Sequence, residues 1–466
     1  GMTTYGGENN EGVLFEYQLG SNTLTVLEDF VLSITGGHPK TNSLFEASNG
    51  KLYGLTVNGG ANSCGVLFEY DIATNTFIKK VDFSEVSSGR WPYGALVEAS
   101  NGDLYGMCKA GGTSEGGTLF QYNVSTGDIT KKIDFDGSSN GNSPHAGLFV
   151  ASNGKLYGLT RSGGANDNGV LFEYDPITSV YLMKFNFDSK TKGAYPMGEL
   201  MEASNGKLYG LTSYGGTNSI VTQEAEGALF EYVLGSSSLT TKLAFGSATY
   251  GHSPNGGLLL AANGNYYGIT ENGGLYGQGI IYEFEPTTNS FVKLYDFDGY
   301  LSNGDGNGGT PTGALIEGAS NTLYGMTSEG GADNKGVLFK YNYMSSSYTK
   351  ILDFDGTNGQ SPKGSLLKAS NNKIYGMTFE GGSGASAGVL FELNSDSYTK
   401  ILDFEDVAKG KHPHGGIIEA SNGLLYGLTQ EGGINGDGVL FELDPSDNSF
   451  TKKYDFIGLS PLAHEG

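Results

Sequence analysis

Residues 154–172 read GKLYGLTRSGGANDNGVLF, and close variants of this stretch recur along the 466-residue chain. The tyrosine of its Leu-Tyr-Gly phrase returns at intervals of 52, 52, 52, 58, 57, 51 and 51 residues. The eight tyrosines are Tyr53, Tyr105, Tyr157, Tyr209, Tyr267, Tyr324, Tyr375 and Tyr426. A period of this length is typical of repeat architectures, in which each unit buries its apolar faces against its neighbours.

Each repeat contains four short phrases that predict four strands, named A to D in chain order. Strand A is predicted over residues 94–100, strand B over 103–107, strand C over 65–70 and strand D over 77–83. Between A and B lies Ser-Asn-Gly, and Asn-Gly favours a tight hairpin turn with two residues of positive φ. No run of 12 or more residues has the helical period. The sequence therefore predicts an all-β fold of small four-stranded antiparallel sheets that cover one another.

A radial array of such sheets is a β-propeller, and we predict one such domain over residues 1–466. The main alternative, an open β-solenoid, usually has a shorter repeat of about 20 to 30 residues. Eight complete units follow a partial unit that ends at Phe30, and residues 460–466 align with the start of another strand A. Nine blades are therefore favoured over eight, in a ring closed by strands from both termini, which removes exposed sheet edges.

The composition excludes several classes of partner. The chain has 27 basic and 50 acidic residues, a net charge of −23, and 77 glycines. So acidic a protein repels polyphosphates, which argues against nucleic acid and anionic membrane surfaces as partners. No apolar run approaches the roughly 18 residues that span a bilayer, and the sequence shows no signal peptide. We expect a monomer that is not inserted in a membrane.

The repeat resembles that of the GloVer family, the choice-of-anchor tandem repeat proteins of bacteria. The resemblance rests on residues 154–172 and their copies, and it covers essentially the whole chain. It implies a propeller-like fold and secretion or display on the bacterial surface. It implies no reaction, because the family offers no catalytic residues that map onto this sequence. Departures are local, such as Cys108 in place of the usual threonine.

The candidate site lies on the face that carries the B-to-C and D-to-A connections. These connections are longer and more variable than the other two, and such loops usually carry binding. All six histidines lie within three residues of the proline that opens strand A, and Tyr250 has a comparable position. They are His38, His145, His252, His412, His414 and His464. We predict a ligand-binding set of Arg90, Trp91, Tyr93, His145, Tyr195, His252, His412 and His414.

This set favours an exported, non-enzymatic module that binds a glycan or an extracellular protein. Trp91 would stack on a sugar while Arg90 and the histidines donate hydrogen bonds, and the net charge favours a neutral sugar over an anion. One alternative is a polysaccharide lyase or hydrolase that uses His412, His414 or His145 as a base at the mouth of the channel. Others are an array module without a site, and exposed positions that tolerate any residue.

No cofactor is expected, although two sequence features are relevant to metal binding. His412-Pro-His414 lacks the accompanying ligands of a zinc site. The Asp-Phe-Asp-Gly phrases and the loop 303–309 leave calcium as an alternative, because calcium prefers clustered oxygens. The phrases contain Asp134 and Asp136, Asp296 and Asp298, and Asp353 and Asp355. The favoured interpretation is that these carboxylates accept hydrogen bonds from backbone N–H groups at strand ends.

Other recurrent polar residues are interpreted as structural. The strand C glutamate, such as Glu69, is expected to face a strand D lysine such as Lys79 or Lys131. The repeated tyrosine is expected to fill the space between blades while its hydroxyl reaches a polar partner. Cys64 and Cys108 occupy different positions in neighbouring units, which predicts two free thiols.

Overall fold

The computed structural model describes residues 1–18, 23–39, 44–196, 198–216, 227–245, 250–254, 257–288, 290–301, 303–304, 306–384 and 386–456. Strands dominate these residues, and their one α-helix is the single turn α1 (Asp406–Lys409). None of the helices in the described residues is long and apolar enough to cross a membrane. The predicted all-β class is confirmed.

The described residues contain nine sheets, numbered here in chain order. The chain forms two compact units. One contains Gly1–Gln18 and Leu24–Ala244, and the other contains Phe245–Ile457. Sheet 1 has two strands, and in sheets 2 to 9 the pairing order is A-B-C-D, antiparallel throughout. The predicted sheet topology is therefore confirmed.

The first unit holds sheets 1 to 5. Sheet 1 is β1 (Val13–Gln18) and β2 (Thr23–Asp29), and sheet 2 is β3 (Gly37–Pro39), β4 (Phe45–Glu46), β5 (Leu52–Asn58), β6 (Val66–Asp71) and β7 (Thr76–Asp82). Sheet 3 is β8 (Arg90–Glu98), β9 (Leu104–Ala110), β10 (Thr118–Tyr122) and β11 (Ile129–Asp134). Sheet 4 is β12 (Asn142–Pro144), β13 (Phe149–Val150), β14 (Leu156–Ser162), β15 (Val170–Asp175) and β16 (Val180–Asn186). Sheet 5 is β17 (Ala194–Pro196), β18 (Met201–Glu202), β19 (Lys207–Tyr214), β20 (Ala228–Val233) and β21 (Leu239–Ala244).

The second unit holds sheets 6 to 9. Sheet 6 is β22 (His252–Pro254), β23 (Leu259–Leu260), β24 (Tyr266–Asn272), β25 (Ile280–Glu285) and β26 (Ser290–Asp296). Sheet 7 is β27 (Gly309–Glu317), β28 (Thr322–Glu329), β29 (Val337–Asn342) and β30 (Ser347–Asp353). Sheet 8 is β31 (Leu367–Lys368), β32 (Ile374–Thr378), β33 (Val389–Asn394) and β34 (Ser397–Asp403). Sheet 9 is β35 (Ile418–Glu419), β36 (Leu425–Leu428), β37 (Val439–Asp444) and β38 (Ser449–Asp455).

Strand A begins earlier than predicted and is often broken. In sheet 3 it is continuous over β8, which starts at Arg90, whereas in sheets 2, 4, 5 and 6 two short pieces pair with the same strand B. The residue before the strand A proline has a positive φ, which is 56° at Trp91. That left-handed residue kinks the strand, and the proline is tolerated because strand A is an edge strand. Arg90, Trp91 and Tyr93 therefore lie within β8, not in a loop.

The A-to-B turn also differs from the prediction. Gly50 has a φ of +75°, while Asn49 is not among the residues of positive φ. Gly50 donates its N–H to the Ala47 carbonyl, and Ala47 donates to the Lys51 carbonyl, both at 2.9 Å. This is a three-residue loop that ends on a left-handed glycine, so only the glycine must leave the usual region. The asparagine is present for its side chain.

The apolar faces of neighbouring sheets cover one another within each unit. In the first unit, Tyr53 of sheet 2 is fully buried and its ring lies 6.0 Å from that of Tyr122 in sheet 3. In the second unit, the rings of Phe354 in sheet 7 and Phe391 in sheet 8 lie 5.9 Å apart. Each core cluster therefore draws on two adjacent sheets, as the sequence predicts for units too thin to bury themselves.

A proline and a glycine join consecutive sheets at a recurring contact. Gly65 opens strand C of sheet 2, has a φ of +102° and lies under Pro92 of sheet 3. A Cβ there would sit 2.5 Å from the Thr56 carbonyl oxygen and 2.8 Å from Pro92 Cδ. Trp91 donates its backbone N–H to the Cys64 carbonyl at 3.0 Å. We call this contact the proline–glycine seam; it recurs at Gly12/Pro39, Gly117/Pro144, Gly169/Pro196, Gly279/Pro311, Gly336/Pro362 and Gly388/Pro413.

Candidate functional site

The B-to-C and D-to-A loops lie against each other, as the sequence predicts. Gly112 in the B-to-C loop of sheet 3 donates its N–H to the Glu85 carbonyl of the preceding D-to-A loop at 2.6 Å. Thr113 donates its N–H to the Asp134 carboxylate, at the end of strand D, at 2.9 Å. Equivalent bonds recur in both units, for example from Gly382 to the Gly356 carbonyl. These loops are therefore fixed by backbone bonds, which preorganises the side chains they carry.

Arg90 and Trp91 form a stacked pair at the start of β8. The Arg90 Cζ atom lies 4.4 Å from the centre of the Trp91 ring, and the side chain of Trp91 remains 37% exposed. Arg90 also forms ion pairs with Glu115 at 2.9 Å and with Glu85 at 3.4 Å. Its charge is thus already neutralised, and it covers part of the indole surface that a sugar would need.

Tyr93 and His145 meet across the boundary between sheets 3 and 4. Each follows a strand A proline, and their ring centres lie 5.0 Å apart with an interplanar angle of 43°. Lys109, in strand B of sheet 3, places its Nζ 5.9 Å from the centre of the Tyr93 ring. Two repeats thus contribute one aromatic surface with a cation at its side.

His145 is held neutral by its surroundings. Burial lowers the pKa of His145 below its ordinary value, and the nearby charges of Lys109 and Arg161 lower it further. Its Nδ1 atom is buried and has no hydrogen-bond partner among the described residues. A neutral imidazole has one donor and one acceptor nitrogen, and the His145 side chain as a whole remains partly exposed.

The same surface continues into sheet 5. The Arg161 Cζ atom lies 5.9 Å from the centre of the Tyr195 ring, which in turn meets the Tyr214 ring edge-on at 5.5 Å. We call the whole set the aromatic–cationic row, and it comprises Lys109, Tyr93, His145, Arg161, Tyr195 and Tyr214. It follows the A and B strands of three consecutive sheets in the first unit.

Sequence reasoning missed three members of this row. Lys109, Arg161 and Tyr214 lie near the end of strand B, and strand B pairs with the strand A segments that carry the predicted residues. Arg90 pairs with Ala110 and Pro92 with Cys108, so Lys109 falls opposite Trp91. The available signal is therefore the position after Leu-Tyr-Gly-x-x for Lys109 and Arg161 and the next position for Tyr214, since this end of strand B pairs with strand A.

The second unit contains a separate cluster around Phe379. The His412 ring stacks on Phe379 with centres 4.8 Å apart, and the His414 ring meets it edge-on at 6.0 Å. Lys363 Nζ lies 3.4 Å from the centre of the Phe379 ring, and His412 Nδ1 lies 3.4 Å from Glu431. A cavity of about 490 Å³ in this unit is lined by Gly257, Glu271, Thr310, Thr312, Gly313, Ala314, Ser328, Lys363, Ser365 and His414.

The remaining predicted histidines do not join either cluster. His252 contacts the Ser253 hydroxyl at 3.3 Å through Nδ1. His38 lies beside Tyr5, Asn58 and Glu11 at the start of sheet 2. His464 lies outside the described residues. The structure thus gathers Tyr93, His145 and Tyr195 in one unit and His412 with His414 in the other.

The strand-end aspartates cap loops. Asp136 accepts the Ser139 N–H at 2.8 Å, and Asp298 accepts both the backbone and the side-chain N–H of Asn307. No group of three or more His, Cys, Asp or Glu side chains in the described part of the chain could hold a metal ion. Asp305 of the loop 303–309 lies outside the described residues. The calcium alternative stays a prediction.

The strand C glutamate belongs to a buried polar network. In sheet 4, Tyr157 donates its hydroxyl to Glu173 at 2.7 Å and accepts from Asn153, while Lys155 Nζ lies 2.7 Å and Lys184 Nζ 3.6 Å from the carboxylate. Burial alone would raise the pKa of Glu173, but the bonds from Lys155 and Tyr157 outweigh it and hold the pKa below its ordinary value. The structural role predicted for this glutamate and tyrosine is confirmed.

The lysine partners differ from the prediction. Glu69 pairs across the strands with Ile78, so the strand D lysine on its face is Lys80, at 3.4 Å. Lys79 instead pairs with Asp82, and Lys131 pairs with Asp134. Alternation of side chains along a strand sends these two lysines to the other face. Cys64 and Cys108 are both buried and free, as predicted.

No curated protein matches this chain. Among solved structures, the extracellular domain of a protein assigned as a hybrid two-component system from B. thetaiotaomicron matches with 15% identity and a TM-score of 0.33 over 96% of this chain. Dipeptidyl peptidase 4 of Porphyromonas gingivalis matches with 8% identity and a TM-score of 0.49 over 88% of this chain. The chain spans 58% and 59% of the length of these two proteins. Because both TM-scores are below 0.5, neither protein assigns an activity to this chain.

The repeat itself gives the assignment. The Gloeobacter/Verrucomicrobia repeat matches residues 1–223, 139–307 and 300–464, which together span almost the entire sequence. This is the family that the Leu-Tyr-Gly and Gly-Val-Leu-Phe phrases resemble, and the nine sheets follow the same repeat. The chain therefore belongs to the Gloeobacter/Verrucomicrobia repeat family.

Proposed function

We propose that this chain is an exported bacterial β-propeller that binds a glycan, without catalysis, through the aromatic–cationic row. The observation that carries the proposal is the contact between Tyr93 and His145, whose rings come from consecutive repeats and lie 5.0 Å apart. Tyr195 and Arg161 extend this surface into a third repeat. Such a spread of contacts suits a chain of sugar units.

The chemistry of the row suits sugars. Tyrosine rings offer apolar faces for the C–H side of a sugar, while Arg161, Lys109 and His145 offer hydrogen bonds to its hydroxyls. No member of the row is a carboxylate, whereas glycoside hydrolysis ordinarily needs two carboxyl groups about 5 to 10 Å apart. Binding is therefore better supported at this row than turnover.

The glycan proposal is tested on an array of bacterial and plant oligosaccharides. Tyr93→Ala and Tyr195→Ala should each weaken binding about tenfold, since each removes a ring face worth roughly 1 kcal/mol or more. Trp91→Ala tests whether the partly covered indole also takes part. Tyr276→Ala is the matched control, because it removes an exposed tyrosine, 56% accessible, from the other unit. Full binding by both Tyr93→Ala and Tyr195→Ala, or an equal loss in Tyr276→Ala, would refute the proposal.

We further propose that nine blades form one closed ring, with residues 460–466 supplying strand A to the blade begun by sheet 1. The nine sheets of the described residues support this count, while residues 460–466 lie outside them. Deletion of residues 460–466 should then lower the midpoint of thermal unfolding, because it removes an edge strand from the closing blade. An unchanged midpoint would contradict ring closure by both termini.

A polysaccharide-active enzyme is the second candidate, and the cavity of the second unit favours it. Its lining includes a carboxylate, Glu271, and a histidine, His414, which are the residue types that act as general acid and base. Glu271→Gln and His414→Ala should each abolish release of products from a polysaccharide. Wild-type protein that releases none from a broad polysaccharide panel would remove this candidate.

A further inference from the structure

Two cations of the row have no ion-pair partner. Within the residues that the structure describes, neither Lys109 nor Arg161 has a carboxylate within 4.0 Å. Arg90, by contrast, is paired with both Glu115 and Glu85. Most lysines and arginines of the described residues, such as Lys155 and Lys207, do have a carboxylate within 4.0 Å. Both of these cations lie on adjacent sheets beside the aromatic rings of the row.

These two cations act on the same point of the surface. Both lower the pKa of His145, so each contributes a positive potential at the imidazole. Each also flanks an aromatic ring, with Lys109 beside Tyr93 and Arg161 beside Tyr195. Apolar ring faces thus alternate with positive charge along the row.

We propose that the row selects an anionic glycan, whose acidic groups pair with Lys109 and Arg161 while its sugar rings lie on Tyr93 and Tyr195. This inference rests on the proposed function and names its ligand class. A guanidinium presents a planar fork that matches a carboxylate or a sulfate, and pairs of this kind are stronger than neutral hydrogen bonds. The uncharged His145 supplies a hydrogen bond to a neighbouring hydroxyl without adding repulsion between cations.

The net charge of −23 does not oppose this choice. Interactions between exposed charges are screened beyond about 8 Å at physiological ionic strength, so distant carboxylates contribute little at the row. The prediction of a neutral sugar rests on the net charge of the whole chain. The local arrangement, in which two cations without a carboxylate partner among the described residues stand beside half-buried tyrosine rings, points to an acidic ligand.

The test compares three hexasaccharides by calorimetry at about 0.15 M salt: a polyuronate, a sulfated galactan and a neutral glucan. The wild type should bind at least one acidic hexasaccharide about tenfold more tightly than the neutral one. Arg161→Gln and Lys109→Gln should each weaken binding of the acidic hexasaccharide more than binding of the neutral one, and so remove most of that preference. Higher salt should weaken only the acidic ligand.

The matched control is Lys190→Gln. It removes the same charge from an exposed position in a D-to-A loop of the same unit, outside the row. Equal loss in this variant would show that net charge alone sets the preference, which would overturn the inference. Equal affinity for acidic and neutral ligands would also overturn it while leaving the proposed function in place. Absence of binding to any of the three would refute both.

Discussion

The hydroxyl of Tyr324 donates a hydrogen bond of 2.9 Å to Asp396, a residue of the following sheet. In most other sheets the tyrosine at this position of strand B donates its hydroxyl to a glutamate in strand C of the same sheet, as Tyr157 does to Glu173. In sheet 7 that strand C position holds Lys340, which also pairs with Asp396. The network survives the charge reversal because its carboxylate is supplied from the C-to-D turn of the next sheet.

This exchange predicts a specific weakness. Asp396→Asn keeps a residue that tolerates the local φ of +69°, but it leaves Lys340 without a counter-charge. We expect a loss of about 1 kcal/mol in the free energy of unfolding, a modest value because both side chains are partly exposed. Denaturant titration measures it. Asp333→Asn, at an exposed position in the same unit, should change nothing, and equal losses in both would contradict the prediction.

The glutamate network predicts the acid limit of the fold. The pKa values of Glu69, Glu173 and Glu231 lie below the ordinary 4.5. A carboxylate whose pKa is lower in the folded state than in the unfolded state stabilises the fold. This contribution is complete when the pH is above the pKa of the unfolded state, and it is lost as the pH falls through the pKa of the folded state. The midpoint of thermal unfolding should therefore drop steeply below about pH 4.5.

Glu173→Gln isolates one member of this network. The variant should be less stable than the wild type at pH 7, and the difference should shrink as the pH falls below 4.5, where wild-type Glu173 is also protonated. Thermal unfolding between pH 3 and 7 measures it. Glu46→Gln removes an exposed carboxylate in sheet 2 and is the control. A difference for Glu173→Gln that stays constant with pH would refute this explanation.

The environment of His145 predicts its titration. Burial, Lys109 and Arg161 lower its pKa below 6.5, so the folded state resists protonation and stability from this residue is lost as the pH falls below 6.5. Proton NMR of the imidazole should show a raised pKa in Arg161→Gln and in Lys109→Gln. The Lys190→Gln variant should leave it unchanged. A pKa that neither row substitution moves would place both cations too far away to act.

The proline–glycine seam predicts where an added methyl group is costly. Gly65→Ala forces a side chain into a φ of +102° and into contact with the Thr56 carbonyl and Pro92, and we expect it to cost well over 1 kcal/mol. Gly50→Ala is the matched control, because its φ is also positive, +75°, but no atom lies within 4 Å of the added Cβ. Thermal unfolding should show a larger loss of stability for Gly65→Ala than for Gly50→Ala. Equal losses would show that the strain of the positive φ alone, without the contacts to Thr56 and Pro92, sets the cost.

Much of the fold follows from the repeat. Strands B, C and D are identified by phrases such as Leu-Tyr-Gly and Gly-Val-Leu-Phe, since a period of 52 residues leaves few other assignments. The predicted strand A begins too late because Pro92 is typical of a loop, although an edge strand accepts a proline. The side chain of Asn49 donates a hydrogen bond to the Tyr53 hydroxyl. The sequence does not predict this role, because the turn propensity of Asn-Gly already accounts for the asparagine.

The candidate site was only partly predictable, because it depends on contacts between repeats. Tyr93 and His145 are 52 positions apart, and the sequence predicts each as a site residue only from its proximity to a proline. That their rings touch depends on how neighbouring sheets pack, which local sequence does not encode. Lys109 and Arg161 lie in strand B and carry no turn or proline signal, so only the pairing of strands A and B reveals them.

The proline–glycine seam bears on how such a chain changes over generations. Each seam is made by one residue from each of two successive copies, and it is present at seven junctions of the described residues. Duplication or loss of a whole 52-residue segment thus recreates a compatible junction at once, while the neighbouring side chains stay open to substitution. A substitution at a single position, such as that of Lys109 or Tyr195, can therefore change the ligand preference while the contacts between the repeats stay the same.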